Sequence, residues 1–277
     1  MLANSAATLP SGHFLIEPYF YDASSPHADG FGSLTYMLYG LTDRLTVGLI
    51  PVLGYNRVDG AEDSSGIGLG DVSVQAQYRF TEFHEGSSLP TISLQLQQTL
   101  PSGKYDRLGN RPGDGLGSGA STTTLQLNTQ TYFWLANGRI LRMRFNVAQS
   151  FSRRASVRDV SVYSTAEGFR GHARPGNSLY VNAAWEYSLS RRWVLALDLT
   201  WRRSQGTRVH GYESPAVAGL PAIPVDRHSG TSEAFGFAPA IEYSWRANLG
   251  LLVGARLITG GNTTTTITPA LALNYVH

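Results

Sequence analysis

Apolar and polar side chains alternate along almost the whole of this chain, segment after segment, and that two-residue period restricts the fold more than any other property. Successive side chains of an extended strand point to opposite faces, so strict alternation describes a strand with one apolar and one polar face. In residues 69–80, Val72, Val74, Ala76, Tyr78 and Phe80 share one face, and Asp71, Ser73, Gln75, Gln77 and Arg79 the other. Residues 91–100 set Ile92, Leu94, Leu96 and Leu100 against Ser93, Gln95, Gln97 and Thr99. Residues 192–202 set Trp193, Leu195, Leu197, Leu199 and Trp201 against Val194, Ala196, Asp198, Thr200 and Arg202. Helical spacing is scarce. The best apolar run, 247–258, contains Arg256 and falls short of the roughly 18 residues that a spanning helix needs. The chain is predicted to be all-β.

Twelve such segments can be marked, at 12–21, 31–41, 44–56, 69–80, 90–100, 121–135, 139–152, 178–190, 192–203, 232–245, 248–259 and 264–277. Most are 10–14 residues long, against about 5–6 in soluble sheets. Residues 41–43, 136–138, 190–191 and 246–247 form tight connections, and 81–89 an intermediate one. The intervening loops 22–30, 57–68, 101–120, 153–177 and 204–231 are long, and only the last, 260–263, is short. Short turns at one end and long loops at the other predict a transmembrane antiparallel β-barrel of about 12 strands, with periplasmic turns and extracellular loops. No linker or composition break divides the chain, so 1–277 reads as one outer-membrane barrel domain. Residues 1–11 are expected to be a short N-terminal periplasmic segment, too small for a plug domain.

A soluble barrel or sandwich would alternate too, with its apolar face inward. Two features favour lipid outside. The apolar face carries almost no charge, whereas Glu17, Asp71, Arg79, Arg142, Arg144, Glu186, Asp198, Arg202, Glu242 and Arg256 share the polar parity. Aromatics of the apolar parity also sort to the strand ends. Tyr78, Phe80, Phe133, Tyr187, Trp193, Tyr243, Trp245 and Tyr275 lie at the short-turn end, and Phe20, Tyr55, Phe151, Trp201 and Phe235 at the other. Two aromatic belts around an aliphatic band suit a wall crossing two lipid–water interfaces. The charged share of 15%, against about 25% in soluble domains, follows because half of each strand can carry no charge. Some residues fit poorly. Trp134, Tyr132 and Tyr39 take the inward parity, and Pro18, Pro51, Pro239 and Pro269 each remove a ladder hydrogen bond inside a strand, where bulges are expected.

Several candidate chemistries can be weighed on the residues. The absence of cysteine excludes a disulfide scaffold, thiol catalysis and a Cys-based zinc site. A net charge of +2 without a clustered basic surface does not suggest nucleic acid. The glycine runs 66–70 and 113–119 lack a following Gly-Lys-Ser/Thr and a helix, so they read as loops rather than phosphate cradles. Asp106 and Asp114 could hold Ca²⁺ with loop carbonyls, but no EF-hand spacing supports it. The seven histidines lie mostly in loops and chain ends; His228 with Asp226 and Ser229 is a set of sequence neighbours and not a triad. No catalytic residue, metal site or cofactor is expected, and the chain is read as not an enzyme.

The informative set is the inward charge: Glu17, Arg142, Arg144, Glu186, Asp198, Arg202, Glu242 and Arg256, all expected to line the lumen. They serve either as ion pairs filling a narrow barrel or as charge rings selecting solutes. Eight strands enclose a filled barrel and 16–18 a water channel, so twelve predict a narrow or partly occluded lumen. The near balance of signs argues against a strong filter for anions alone.

Specific stretches resemble a family of outer-membrane proteins named for phenol meta-pathway degradation or transport. They are Leu9-Pro-Ser-Gly-His13 with Ile16-Glu-Pro-Tyr-Phe20, Leu69-Gly-Asp71 and Tyr78-Arg-Phe80, and Leu89-Pro-Thr-Ile92. Leu100-Pro-Ser-Gly-Lys-Tyr-Asp106, Gly117-Ser-Gly-Ala120 and Thr268-Pro-Ala-Leu-Ala-Leu-Asn-Tyr275 complete the set. The resemblance implies an outer-membrane barrel for uptake of small compounds, aromatic or hydrophobic ones included, and implies no catalytic residues. The expected place is the bacterial outer membrane; residues 1–10 (MLANSAATLP) lack the basic and apolar regions of a signal peptide, so either the native signal has been removed, which is the expectation, or the assigned place is wrong. The expected partners are outer-membrane lipid and lipopolysaccharide, a small-molecule solute and the barrel-assembly machinery, with no nucleic acid. The C-terminus alternates to its last residue but finishes on His277 rather than the usual aromatic. Alternatives left open are an outer-membrane hydrolase, and a structural or adhesive barrel acting through loops 153–177 and 204–231. In that last case Arg153, Arg154, Arg158, Arg170 and Arg174 would meet lipopolysaccharide phosphates. If the assigned face is right, Leu197→Arg places a charge at the middle of the lipid-facing wall. It should destabilise the barrel by roughly 2–4 kcal/mol in equilibrium unfolding from lipid; a neutral result would invert the parity.

Overall fold

The computed structural model describes residues 2–214 and 220–277. Met1, and residues 215–219 of the predicted loop 204–231, lie outside the described residues. Alternating segments fold into twelve wall strands: β1 (Phe14–Ser25), β2 (Ala28–Thr42), β3 (Leu45–Ile50 with Val52–Val58), β4 (Val72–Thr81), β5 (Thr91–Leu100), β6 (Thr122–Trp134), β7 (Ile140–Ser152), β8 (Ser178–Ser188), β9 (Trp193–Ser204), β10 (Ser232–Arg246), β11 (Leu249–Gly260) and β12 (Thr263–Val276). Each pairs antiparallel with its neighbours in chain order, and β1 pairs with β12 as well as β2, which closes the ring. Closure is what hydrocarbon demands, because an open edge would leave unpaired backbone groups at several kcal/mol each. No helix among the described residues is long and apolar enough to cross a membrane.

The apolar parity faces outward. Leu94, Leu96, Leu125, Leu127, Leu195 and Leu199 are exposed across the middle of the wall, with Phe80, Phe133, Trp193 and Trp245 at one end and Phe20, Phe151 and Phe235 at the other. Inward positions bury Gln95, Gln130, Asn128, Asn146 and Asn182. A soluble fold would show the reverse.

Three expectations about the wall need correction. Residues 22–30 are not a long loop: β1 and β2 stay paired to Ser25↔Ala28 around a two-residue turn. Ser24 Oγ donates to Asp29 Oδ1 (2.8 Å) and Ser25 Oγ to the Ala28 carbonyl (2.7 Å), so the small polar residues that resemble loop composition knit the hairpin. Tyr39 faces lipid rather than the lumen. On β2 the neighbouring positions Tyr36 and Gly40 point inward, toward the cavity and the N-terminal segment respectively. Both faces of β2 are apolar there (Leu34, Tyr36 and Leu38 within, Met37, Tyr39 and Leu41 without), so alternation does not announce the parity. Pro18, Pro239 and Pro269 make no bulges; only at Pro51 is the strand interrupted, where its pairing with the next stretch steps by one residue between Ile50↔Ser73 and Leu53↔Leu69. Pairing runs Ile16↔Tyr275 then Tyr19↔Ala272 across Pro18, and Phe237↔Leu257 then Ala240↔Gly254 across Pro239, with register unchanged. In an antiparallel strand each residue bonds one neighbour only, so a proline forfeits a bond on one seam and leaves the other whole. The other register shifts lie near strand ends, between Gly40 and Thr42, Arg79 and Thr81, Ser244 and Arg246, and Ile258 and Gly260.

The long loops also carry structure that alternation did not reveal. Ala155–Arg158, Phe169–Arg174, Arg208–Glu213 and Ile223–His228 form a second four-stranded sheet beyond β7–β10. Val157, Phe169, Ala173 and Val209 make its small core, and Tyr105 from loop 101–120 packs against it. Tyr105 donates to the Ser156 carbonyl at 2.9 Å.

Residues 2–9 do not hang below the barrel as a periplasmic segment. They run up into the lumen, with Ala3 and Ala6 buried. Their path leaves the wall beside Gly40, where the Gly12 amide donates to the Gly40 carbonyl (2.9 Å). A Cβ on Gly40 would overlap the Pro10 carbonyl oxygen, so a glycine is required at this crossing. Gly40→Val should therefore expel the N-terminal segment while leaving the wall closed. Proteinase K followed by mass measurement should then trim the folded variant's first residues and spare the wild type.

Candidate functional site

The lower and middle lumen is a polar stack built by register. Gln77 lies opposite Gln95, Gln95 opposite Gln126, and Asn128 opposite Asn146, which is itself opposite Asn182. Amides at successive inward positions bond one another: Gln95 Nε2 donates to Gln75 Oε1 (2.8 Å) and Asn146 Nδ2 to Asn128 Oδ1 (2.8 Å). What remains of their capacity holds the N-terminal segment. Asp198 Oδ1 accepts the Ala3 amide (2.8 Å), and Arg144 Nη1 donates to the Ala3 carbonyl (2.6 Å). Asn146 Nδ2 donates to the Asn4 carbonyl (3.1 Å), and Gln77 Nε2 to that of Ser5 (2.8 Å). Asn4 Nδ2 reaches Gln95 Oε1 (3.0 Å), and Ser5 Oγ reaches Gln130 Oε1 (3.1 Å). Nearer the periplasmic end Thr46 Oγ1 accepts the Leu9 amide (2.8 Å). The segment occupies the lumen as an extra strand whose partners are side chains. The sequence signal for it is faint: residues 3–8 (ANSAAT) are small and uncharged, which suits a crowded polar channel.

Of the eight charges singled out above, four meet in this layer. Glu186, 5% exposed, forms ion pairs with both Arg142 and Arg144. The registers Glu186↔Arg142 and Ala184↔Arg144 place the two guanidinium groups beside one carboxylate. Asp198, 1% exposed, adds Asn182 Nδ2 (3.0 Å) to its bond from Ala3. Glu17 lies apart, accepting from Tyr19 (3.2 Å) and Asn274 (3.3 Å), and Glu242 lies near Gly250 toward the short-turn end. Arg202 and Arg256 stand higher in the lumen, with no ion pair among the described residues.

Above the N-terminal segment the lumen opens into a cavity of about 550 Å³. Space remains there because the inward residues of β10–β12 are small: Ala238, Ala240, Gly254 and Ala270. Leu2 and Asn4 reach it from the N-terminal segment, and Arg202 and Arg256 line it along with tyrosines of β1, β2 and β8. The tyrosines and Leu2 were not among the residues picked out by charge.

Outside the membrane, three of the stretches that suggested a family converge. The Asp71 carboxylate accepts from the Gly103 amide (3.0 Å), the Ser118 amide (2.8 Å) and the Ser118 hydroxyl (2.7 Å). A Cβ on Gly103 would lie 2.7 Å from Gly117 Cα, so the 100–106 and 117–120 stretches cross backbone to backbone. Tyr163 donates to the Ser118 carbonyl, and burial first, then the Asp71 charge, pushes its phenol up to about 12. Asp114 is committed too, with Oδ1 on the Ser65 amide (2.8 Å) and Oδ2 on Lys104 Nζ (3.1 Å). The Ser65 amide and then Lys104 hold its carboxyl below the usual range. Asp106 is spent separately on the Arg158 amide (3.1 Å), and no group of three His, Asp or Glu capable of holding a metal occurs among the described residues. The 226–229 histidine set is not assembled either. Asp226 faces His210 at 4.0 Å, both exposed, and Ser229 Oγ accepts the Thr207 amide.

Residues 3–275 match the family described by the words "MetA-pathway of phenol degradation". The chain belongs to this family. No curated protein matches it. Among solved structures it is similar to the COG4313 outer membrane channel from Pseudomonas putida F1, at 15% identity and a TM-score of 0.70 over 100% of both chains. It is also similar to the NanC porin, at 10% identity and a TM-score of 0.51, over 94% of this chain and 98% of that one. At these identities the likeness is one of fold, and the fold is that of an outer-membrane β-barrel.

The paired layer makes a stability prediction. Glu186→Gln removes the carboxylate from the buried Arg144 and the half-buried Arg142, and breaking a buried pair from one side costs about 3–5 kcal/mol. Equilibrium unfolding in detergent should show a loss of that order, and restoring the balance with Arg142→Gln should recover part of it.

Proposed function

We propose that this outer-membrane barrel is a passive channel for small solutes, aromatic or hydrophobic compounds included, and not an enzyme. One observation carries the reading. The lower lumen is polar and occupied by a segment held there by hydrogen bonds to wall side chains, and above it opens a cavity of about 550 Å³ lined by tyrosines, alanines and leucines together with Arg202 and Arg256. Individual bonds of this kind contribute only about 0.5–1.5 kcal/mol net, so the segment can move within the lumen at far lower cost than the wall can open. The family description, a pathway of phenol degradation, and the fold shared with an outer membrane channel support the same reading. The mixed charges Glu17, Arg142, Arg144, Glu186, Asp198, Arg202, Glu242 and Arg256 are its proposed lumen lining. Its proposed partners are the transported solute, the barrel-assembly machinery, and outer-leaflet lipid and lipopolysaccharide. The exposed Arg158, Arg170 and Arg174 of the loop sheet offer cations to the phosphates of the last of these.

Planar-bilayer recording tests the reading. The intact chain should conduct in small steps, and a variant lacking residues 2–8 should conduct several-fold more with the wall unchanged. A folded barrel that neither conducts nor admits solute with the segment deleted would sink it.

A further inference from the structure

We propose that the upper lumenal cavity is a binding site for small aromatic carboxylates, a substrate class set by two unpaired arginines and a set of tyrosines. The inference rests on the channel reading for its physiological use but not for its chemistry. Cation and anion do not balance along this lumen in the way the composition suggests. Glu186 is consumed by Arg142 and Arg144, while Asp198, the one acid on the cavity, gives Oδ1 to the Ala3 amide and Asn182, keeps a buried Oδ2 without a hydrogen bond, and forms no ion pair with either cavity arginine among the described residues. Arg202 and Arg256 have no acidic partner among the described residues, and Arg256 Nε is buried without a hydrogen bond. A buried guanidinium nitrogen left unbonded is costly, and a carboxylate is the group whose two oxygens match its fork.

The body of the ligand is argued from the rings. Tyr19, Tyr21, Tyr36 and Tyr180 line the same cavity. Arg202 lies over the Tyr180 ring at 5.2 Å, which leaves its guanidinium plane oriented by an aromatic face. Tyr19 and Tyr36 meet edge-on with centroids 6.0 Å apart. Tyr21 lies across Gly32, where a Cβ would overlap its phenol oxygen. Rings held in this way make a wall for a flat apolar body rather than for an extended chain. Strand β10, between the arginine strands β9 and β11, presents Ala234 and Ala238 and so leaves the anion room to reach either guanidinium. A volume of about 550 Å³ falls in the range of roughly 300–1,000 Å³ usual for small-molecule sites. An aromatic cation of the same shape would meet two positive charges, and a short aliphatic acid would lose the ring contacts.

Calorimetric titration of the detergent-purified full chain tests the site with benzoate, acetate and benzylammonium as probes. Benzoate should bind about ten-fold or more tightly than either of the others, as expected when a charge-assisted hydrogen bond is gained or lost. Arg202→Gln with Arg256→Gln should lower benzoate affinity about ten-fold while heat-modifiable mobility shows the barrel folded. The pair Arg202→Lys with Arg256→Lys should keep the preference for benzoate over benzylammonium. Equal affinity for benzoate and benzylammonium, or a Gln pair that binds benzoate unchanged, overturns the proposal. Liposome swelling with a neutral pentose separates it from the channel reading. Benzoate binding without swelling overturns the channel and leaves the site, and swelling without benzoate preference overturns the site and leaves the channel.

Discussion

Inside a bilayer no water is available to bond a backbone amide or carbonyl, and every feature of this molecule follows from how its strands meet that condition. A helix would satisfy it locally, but no run of residues is apolar enough to be one. Strands satisfy it only by pairing on both sides, which forces β1 onto β12 and makes the ring closed. Closure then fixes two surfaces of opposite character. The outward face must be lipid-compatible, so leucines fill its middle and aromatics its rims. The inward face inherits all the polarity that the outer face refuses.

That inherited polarity creates a second problem, since a twelve-stranded ring is too narrow to hydrate every inward group freely. The amides of β4–β8 and the charges on β7–β9 must find partners among themselves. They do so in a layer where Glu186 holds two arginines and Asp198 is turned toward the chain's own N-terminal residues. The segment 2–9 completes this layer, taking bonds from wall side chains that cannot all reach each other. On β10–β12 the inward residues are mostly alanine and glycine, so nothing fills the upper lumen and a cavity is left. Charge pairing below and its absence above are therefore two outcomes of the same packing, decided by which strands carry long side chains.

The wall was readable because its physics is local. Each residue from Val72 to Phe80 shows its face through its immediate neighbours, and so do Trp193 to Trp201, so twelve strands could be marked with ends close to those observed. Reading failed where the local rule is silent. On β2 apolar residues occupy both faces, and Tyr39 was assigned to the wrong one. Around Pro18 and Pro239 the expectation of bulges overlooked that an antiparallel strand can give up one bond without changing register. In loops 153–177 and 204–231 four short strands escaped notice, because each is too brief to establish a period.

By itself the sequence determined the period, the number of strands and the side that faces lipid, since all of these depend on residues one or two apart, and it offered a list of candidate charges for the inward side. Only the tertiary structure decided what those charges do. Ala3 and Asp198 are separated by 195 positions and meet in one hydrogen bond, and Arg144 reaches the Ala3 carbonyl across 141. No spacing rule encodes such contacts, because they depend on the ring's diameter, on the tilt that sets one strand's height against another's, and on which inward side chains are long enough to cross the lumen.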